Sequence, residues 1–315
     1  MKTILFYVCT FVFLVSSILA LQPARVEFRP YSYKPSTELH PIPRVKEGSV
    51  FPVFSAQGIF AVDLDSGVTL YEKNADAQLY PASTTKMMTA LVAHEIYQPN
   101  DTITVGYVKV AGQRMHLTMG ERITVSDLLD GLLIFSANDA AEVLAQNYPT
   151  TNLAATPLIR REQFIEAMNE KARALGMTGS TFKNPSGLDD PAHLTTAKDM
   201  ARLASYGMKN EYFAKIVGTK SKTVTSTDGK IVHRLTNINE LLGKVDGVLG
   251  VKTGWTDAAR ENLVTYIDRN GHRVIVVVLG SSDRFGETTE LVEWIYGNYS
   301  WEDPKEEITA GTSLK

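Results

Sequence analysis

The sequence predicts an α+β fold, in which strands from the two ends of the chain form one antiparallel sheet beside a mostly helical subdomain. Short apolar runs bounded by turn residues occur near the start of the folded region and again in the last third of the chain. Between them, apolar residues recur at spacings of three and four. Strands grouped apart from helices are typical of an α+β domain, because regular alternation would instead favour a parallel sheet.

The first predicted elements are two strands and a series of helices. The strands are expected at 59–62 and 68–71, on either side of the turn residues Asp65-Ser66-Gly67. A helix is expected to begin at Ser83, because apolar residues then recur on one helical face at Met88, Leu91, Val92 and Ile96. Four more helices with this spacing are predicted at 125–135, 140–148, 161–175 and 197–206.

The last third of the chain returns to strands. Asp228-Gly229 and Asn270-Gly271 each lie between two apolar or β-branched runs, and Asn-Gly is among the strongest short hairpin signals. The strands and a closing helix are predicted at 220–225, 230–235, from about Val248, 262–268, 272–279 and 287–299.

The charge of the chain and the absence of two motifs argue against several classes of partner and enzyme. A net charge of -3 over 315 residues, with no block of like charges, lacks the electrostatic footprint of a nucleic-acid-binding protein. The six histidines show no His-Glu-x-x-His spacing, so no metal site is indicated. There is also no Gly-x-Ser-x-Gly segment of the kind that α/β-hydrolases use.

Residues 1–20 have the pattern of a secretory signal peptide. Lys2 precedes an uncharged, mostly apolar run, and Ala20 suits the last residue before cleavage. Ile18 is larger than the small residue usual at its position, so an uncleaved membrane anchor is the alternative. With or without cleavage, we expect the protein to be extracytoplasmic. If the segment is not cleaved, we expect it to be the only part of the protein that contacts the membrane. Cys9, the single cysteine, lies inside the segment, so no disulfide is expected.

The rest of the chain divides into three expected parts. Residues 21–52 are rich in proline and are predicted to form an extended spacer, with an N-terminal strand lying on the domain as the alternative. Residues 53–301 form the predicted folded, catalytic domain, and residues 302–315 form a polar tail.

Three short motifs carry the candidate chemistry. Ser83-Thr84-Thr85-Lys86 is a Ser-x-x-Lys at a predicted helix start, Ser136-Ala137-Asn138 is a Ser-x-Asn between helices, and Lys252-Thr253-Gly254 ends an apolar strand. Singly each is weak: Ser83 alone would be read as a helix cap, Ser136 and Asn138 as a turn and cap, and Lys252 as a solvated strand end. Their order matches the signature of class A β-lactamases and penicillin-binding proteins.

The spacing of the first motif indicates an activated serine. Residues three apart on a helix face the same side, so Lys86 can reach the Ser83 hydroxyl. A serine attacks only when a base takes its proton, so the pKa of Lys86 must fall well below its usual value of about 10.4. Burial and the second cation, Lys252, both lower it. Ser136 then suits a proton relay, whereas the other motif residues suit substrate binding: Asn138, Lys252 and Thr253.

The chain resembles the D-alanyl-D-alanine carboxypeptidases among the low-molecular-mass penicillin-binding proteins. The resemblance extends from about residue 58 to 299, nearly the whole predicted domain. Besides the three motifs, it rests on Leu70-Tyr71-Glu72-Lys73-Asn74, Tyr80-Pro81-Ala82-Ser83, Leu132-Leu133, Ser136-Ala137-Asn138-Asp139-Ala140, Leu175-Gly176-Met177, Phe182-Lys183-Asn184-Pro185-Ser186-Gly187-Leu188, His193 and Thr196-Ala197-Lys198-Asp199.

This resemblance implies a β-lactamase/transpeptidase-like fold and a serine acyl-enzyme mechanism without a cofactor. Ser83 would attack the carbonyl between the terminal D-alanines of peptidoglycan stem peptides, and β-lactams would be covalent inhibitors. The resemblance places the oxyanion hole at the backbone N–H groups of Ser83 and Trp255, beside Gly254. Arg284 is a candidate for binding the substrate carboxylate, with a surface arginine as the alternative. His193 is expected to be structural or to line the site, and not to act as a base.

Two departures from the family leave alternatives open. Arg260 stands where the family usually has glycine, and the chain shows neither the C-terminal β-rich domain nor the amphipathic anchor of many relatives. A D,D-endopeptidase with the same machinery is the nearest alternative. A β-lactamase is disfavoured because no Glu-x-x-Leu-Asn segment lies between the second and third motifs. A wall-binding scaffold without activity is the alternative from another class, although the motifs are complete.

Overall fold

The computed structural model describes residues 40–303. The predicted signal peptide at 1–20, most of the predicted spacer at 21–52 and the tail after Asp303 lie outside the described residues. Within the described part, no helix combines the length and the apolar character needed to span a bilayer.

The described residues form eleven strands. In chain order they are β1 (Ile42–Val45), β2 (Gly58–Asp63), β3 (Thr69–Lys73), β4 (Thr102–Thr104), β5 (Arg122–Thr124), β6 (Ser221–Thr225), β7 (Val232–Thr236), β8 (Val248–Thr256), β9 (Arg260–Arg269), β10 (His272–Ser281) and β11 (Tyr299–Glu302).

One five-stranded antiparallel sheet organises the molecule, with the strand order β3-β2-β10-β9-β8. Strands from near the two ends of the chain meet where β2 pairs with β10, as the sequence predicts. The β9–β10 hairpin turns at Asn270 and Gly271, whose φ angles of 55° and 84° fit the type I′ turn expected for Asn-Gly.

A separate hairpin, formed by β6 and β7, lies outside this sheet. As predicted, the chain turns at Asp228-Gly229, where the Gly229 N–H donates to the Ser226 carbonyl at 2.8 Å. The strands end at Thr225 and resume at Val232, and the Ser226 N–H donates to the Ile231 carbonyl at 2.9 Å across the loop.

Seven α-helices fill the middle and the end of the described chain. They are α1 (Lys86–Ile96), α2 (Val125–Leu133), α3 (Asn138–Gln146), α4 (Pro157–Ala174), α5 (Ala197–Met208), α6 (Glu211–Val217) and α7 (Arg284–Asn298). Most begin at capping residues: the Thr156 side chain accepts the Ile159 N–H ahead of α4, so that helix starts at Pro157 and not at 161 as predicted. The short α6 has no counterpart among the predicted helices.

The sheet is covered on both faces. Val274, Val276 and Val278 of β10 belong to the cluster that contains the buried face of α7. The alternate residues Ile275 and Val277 belong to the larger cluster formed with the helical subdomain. Because successive side chains of a strand point to opposite faces, β10 is buried on both sides and anchors the whole domain.

The two short outer strands differ from expectation. β1, which falls inside the segment predicted as spacer, pairs with β11 through Ile42–Glu302 and Val45–Tyr299. An N-terminal strand on the domain, which is the alternative to an extended spacer, is therefore present at Ile42–Val45. Pro43 fits because an edge strand tolerates a residue without an N–H donor.

Candidate active site

The first motif lies in a tight turn that leads into a buried helix. Ser83 belongs to the 3₁₀ turn Ala82–Thr85, and Lys86 is the first residue of α1. In a 3₁₀ turn the side chains at i and i+3 eclipse each other, so both point to the same place. The Lys86 Nζ is 2.8 Å from the Ser83 Oγ.

The surroundings of Lys86 favour its neutral amine. The side chain is fully buried, and Nζ also donates to the Ser186 carbonyl at 2.6 Å. Burial, and secondly the charge of Lys252, hold the pKa of Lys86 well below its usual value. Asp139 and Glu142 act in the opposite direction but do not offset burial. A neutral amine can accept the Ser83 proton while it donates to the carbonyl.

The second motif is brought to the same place by the connection between α2 and α3. Ser136 lies in this connection with a φ of 64°, a conformation that costs a non-glycine residue about 1–2 kcal/mol. Asn138 begins α3. The Ser136 Oγ accepts a hydrogen bond from the Lys252 Nζ at 2.9 Å, which joins the second motif to the third.

The third motif lies on β8, at the edge of the sheet. Lys252 is buried beneath the strand, where it also donates to the Thr253 carbonyl at 3.0 Å. Burial, followed by repulsion from Arg284, lowers the pKa of Lys252 to about 7. The site therefore holds two buried amines with lowered pKa values, and one of them, Lys252, donates a hydrogen bond to Ser136.

Two glycines allow the backbone to close around Ser83. A Cβ atom on Gly254 would lie 2.9 Å from the Ser83 nitrogen, so only glycine lets β8 approach this turn. Gly187 has a φ of +87°, and a Cβ there would lie 1.8 Å from the Ala82 carbonyl oxygen. The nucleophile turn is thus enclosed between β8 and the 182–188 segment.

A cavity of about 580 Å³ opens over these groups. Three polar atoms of its lining residues are buried and have no hydrogen-bond partner within residues 40–303: Asn138 Oδ1, Thr253 Oγ1 and Arg284 Nε. Such atoms are costly to leave unsatisfied, so they indicate the contacts that a bound molecule would make. The other lining residues include Ser83, Gln113, Ser136, Ser186, Asp189, Ile238, Gly254, Trp255 and Asp257.

The residues predicted after the third motif also reach the cavity. Trp255 follows Gly254 on β8 with 58% of its surface exposed. Arg284 is the first residue of α7, and its Nη1 donates to the Gly254 carbonyl at 3.0 Å. The arginine therefore lies at the cavity wall and not on an unrelated surface. All nine predicted site residues are brought together here.

Comparison with known proteins decides the family. The family model described as D-alanyl-D-alanine carboxypeptidase matches residues 46–283, well over half of the chain. The chain belongs to this family. The resemblance inferred from the motifs is thereby confirmed.

Relatives within the D-alanyl-D-alanine carboxypeptidase family are similar over most of the chain. The carboxypeptidase DacF of Bacillus subtilis is 32% identical over 78% of this chain, but the match spans 63% of that longer protein. A D-alanyl-D-alanine carboxypeptidase of a Streptomyces species is 35% identical over 77% of this chain and 88% of its own length. A D-alanyl-D-alanine endopeptidase of Pseudomonas aeruginosa, 32% identical over 74% of both chains, also matches.

Solved structures confirm the expected β-lactamase/transpeptidase-like fold. The crystal structure of a Streptomyces DD-transpeptidase superposes with a TM-score of 0.73 at 32% identity, covering 79% of this chain and 99% of that chain. The helical subdomain and the shared sheet described above are therefore the architecture of this group of enzymes.

Arg260 shows how the chain accommodates its departure from the family pattern. It closes the three-residue loop between β8 and β9 with a φ of 58°, the left-handed conformation in which such loops usually place glycine. The side chain is exposed and does not line the cavity. The arginine therefore strains the hairpin backbone without narrowing the site.

Several residues of the site had no separate signal in the sequence. The Ser186 carbonyl holds Lys86, and the Asn184 Oδ1 accepts the backbone N–H groups of Gly187 and Leu188 and so shapes this segment. Both lie within the family segment 182–188, but their roles depend on backbone geometry. Burial lowers the pKa of His193 to about 4, and its Nε2 lies 3.0 Å from the Thr85 Oγ1, so it supports the turn as a neutral ring.

Proposed function

We propose that this protein is a serine-type D-Ala-D-Ala carboxypeptidase that removes the terminal D-alanine from peptidoglycan stem peptides. One observation carries the proposal: a serine hydroxyl lies 2.8 Å from a fully buried lysine whose pKa is lowered by burial, at the base of an open cavity. Family membership supplies the substrate class.

Acylation begins with Ser83 and Lys86 in this proposal. Ser83 Oγ attacks the carbonyl carbon between the two D-alanines while its proton passes to the neutral Lys86 Nζ. A new C–O bond forms, and the carbonyl electrons move onto oxygen. The backbone N–H groups of Ser83 and Trp255 receive this oxyanion, and Gly254 supports that role because it lets the two approach each other.

Collapse of the tetrahedral intermediate then needs a proton for the leaving group. Ser136 lies within hydrogen-bond distance of Lys252 and lines the cavity. It is placed to pass a proton to the departing D-alanine nitrogen as the C–N bond breaks. Water subsequently hydrolyses the ester on Ser83, which releases the shortened peptide and restores the hydroxyl.

The unsatisfied polar atoms suit the ends of the peptide. Asn138 offers a free amide oxygen for a peptide N–H, and Thr253 offers a hydroxyl for the terminal carboxylate. Arg284 lines the cavity together with Thr253 and supplies positive charge there, which favours a carboxylate. Lys252 lies next to Thr253 in the chain and adds positive charge when its amine is protonated. β-Lactams, which carry a carboxylate beside a strained amide, would acylate Ser83 in the same way.

The location and the chain ends belong to the same proposal. We propose that residues 1–20 direct export and that the enzyme acts on the extracytoplasmic side, where peptidoglycan lies. If the segment is not cleaved, it is the point of membrane attachment. Strand β1 supports moving the start of the catalytic domain ahead of residue 53, to about residue 42.

Penicillin labelling tests the proposal directly. Intact-mass analysis of the protein after incubation with penicillin should show one adduct, located on the tryptic peptide 74–86 that contains Ser83. Ser83→Ala should abolish the adduct and the release of D-alanine, whereas Ser205→Ala on α5, outside the cavity lining, should change neither. Labelling of Ser83→Ala at the wild-type level would refute the nucleophile.

Substrate preference separates the activities that share this machinery. A carboxypeptidase releases D-alanine from a free pentapeptide faster than it opens a cross-linked peptide dimer, whereas an endopeptidase shows the reverse order. A β-lactamase would turn penicillin over rapidly and would show no stable adduct.

A further inference from the structure

A long loop forms one rim of the cavity. Residues 106–120 connect β4 to β5 without helix or strand and are mostly exposed. Gly112 and Gln113 of this loop line the cavity. Met115 is its buried residue, and its side chain occupies the space left by Gly131 of α2, where a Cβ would lie 2.3 Å from the methionine sulfur.

On one side the loop is bonded to the start of α3. The Asn138 Nδ2 donates to the Ala111 carbonyl at 2.7 Å, and the Asn138 backbone N–H donates to the Gln113 carbonyl at 2.8 Å. The Asp139 carboxylate accepts the backbone N–H groups of Met115 and Leu117, both at 3.0 Å. The position of the loop therefore fixes the direction of the Asn138 amide, whose oxygen is buried without a partner among the described residues. Asn138 itself lines the cavity.

On the other side the loop is held by a buried histidine of β7. The His233 Nδ1 lies 2.9 Å from the Met115 carbonyl oxygen, and its Nε2 lies 2.6 Å from the Glu121 Oε1. The other Glu121 oxygen accepts the Thr118 N–H at 3.0 Å. His233 and Glu121 are both almost fully buried.

The bonding pattern shows what the imidazole does for the loop. A backbone carbonyl only accepts, so Nδ1 must carry a proton and donate it to Met115. Nε2 then faces the Glu121 carboxyl, so one side of the ring binds the loop carbonyl and the other side binds Glu121. Both backbone groups of Met115 are therefore hydrogen-bonded: the carbonyl accepts from His233, and the N–H donates to Asp139.

The hairpin itself has other attachments. Lys222 of β6 forms an ion pair with the buried Asp130 of α2, and the Thr227 N–H bonds to the Arg122 carbonyl at 2.7 Å. Attaching the β6–β7 hairpin to the helical subdomain therefore does not require His233. What His233 adds is a contact to the cavity loop.

We propose that His233 is a positioning residue for substrate binding, acting through the Met115 carbonyl to hold the 106–120 loop and, through that loop, the side chain of Asn138. The inference rests on the proposed function, because its effect is read in acylation and peptide cleavage. His233 is not among the residues that line the cavity, so its influence is indirect.

Three substitutions at one position test the contact that matters. His233→Asn keeps an amide donor near the position of Nδ1 and so keeps the Met115 bond, but it loses Glu121. His233→Gln places its amide near the position of Nε2 and loses Met115. His233→Leu loses both. Lys222→Ala is the matched control, because it weakens the same hairpin without touching the loop.

The expected order separates positioning from stability. His233→Leu and His233→Gln should lower the second-order rate of penicillin acylation and kcat/KM for the pentapeptide by about tenfold or more, because a misplacement of about 1 Å can cost about 100-fold. His233→Asn should stay within about threefold of wild type. Amide hydrogen exchange should rise in 106–120 for the first two variants and stay unchanged in β9 and β10. Lys222→Ala should lower the unfolding temperature but leave acylation unchanged.

Two results would overturn the inference. One is wild-type acylation by a folded His233→Leu protein, and the other is equal losses in His233→Asn, His233→Gln and Lys222→Ala. Thermal unfolding of each variant shows whether it is folded at the assay temperature, and hydrogen exchange reports on the loop even where a variant is unstable. If wild type itself is not labelled by penicillin, the proposed function fails and not this inference.

Discussion

Replacing Gly254 with alanine places a methyl group between β8 and the turn that carries Ser83. The added carbon would lie 2.9 Å from the Ser83 nitrogen, 3.0 Å from the Ala82 Cβ and 3.1 Å from the Pro81 carbonyl oxygen. Carbon atoms pack best at about 3.5–4.0 Å from their neighbours. The strand and the turn must therefore separate by about half an ångström, and no flexible side chain is present to absorb the change.

The separation acts on the proposed oxyanion hole. Its two donors, the N–H groups of Ser83 and Trp255, lie on opposite sides of the contact, so moving the strand misaligns one of them. Loss of one such donor costs about 2.7–4 kcal/mol of transition-state stabilisation, or about 100- to 1,000-fold in rate. The lost stability should be smaller, about 1–3 kcal/mol for an overpacked contact.

The rate of penicillin acylation measures the loss of oxyanion stabilisation, because each enzyme molecule reacts once. The second-order rate constant for Gly254→Ala should fall by about 100-fold or more while the protein stays folded. Gly297→Ala on α7 is the matched control, because nothing lies within 4 Å of its added carbon. This control should keep the wild-type acylation rate and gain about 0.5–1 kcal/mol of stability. Acylation of Gly254→Ala at the wild-type rate would refute the close-approach argument.

Two further predictions concern Lys252 and Arg260. The pKa of Lys252 is about 7 in the folded protein and near 10.5 in the unfolded chain. Between these two pH values the unfolded state binds more protons than the folded state. The free energy of unfolding should therefore rise with pH across this range. Lys252→Met should reduce that rise between pH 7 and pH 9 in chemical unfolding, and an unchanged slope would contradict the assignment. Arg260→Gly removes a left-handed non-glycine residue whose side chain is exposed, so unfolding should show a gain of about 0.5–1 kcal/mol with unchanged acylation. A loss of stability would mean that the arginine side chain contributes contacts of its own.

The sequence predicts the parts of this fold that depend on local pattern. The Asn270-Gly271 turn and the joining of both chain ends in one sheet follow from turn chemistry and from the grouping of apolar runs. The pairing of β1 with β11 does not, because both strands are only four residues long and their pairing depends on tertiary contact. Apolar spacing alone does not locate a helix start that depends on a cap, as at Thr156 before Pro157.

The candidate site divides in the same way. Ser83 and Lys86 are neighbours on one turn, so their contact follows from spacing. Ser136 and Lys252 are 116 positions apart in the chain. Their contact can be predicted only from the motif order of a known family. The contact of His233 with the Met115 carbonyl had no sequence signal, because any residue offers a backbone carbonyl and only the fold selects this one.

The same loop contacts bear on the charge of Lys86. Among the described residues, Asp139 and Glu142 are the carboxylates that raise its pKa, which opposes the neutral amine that catalysis needs. Asp139 accepts two backbone N–H groups from the loop, and Glu142 forms a two-point ion pair with Arg161 at 2.7 and 3.2 Å. Each negative charge is therefore partly offset by its own donors, which leaves burial as the largest influence on Lys86. Holding the 106–120 loop in place thus keeps the Asn138 side chain in position at the cavity. It also keeps the Asp139 carboxylate bonded to the loop N–H groups. One set of contacts therefore supports both substrate binding and the neutral amine of Lys86.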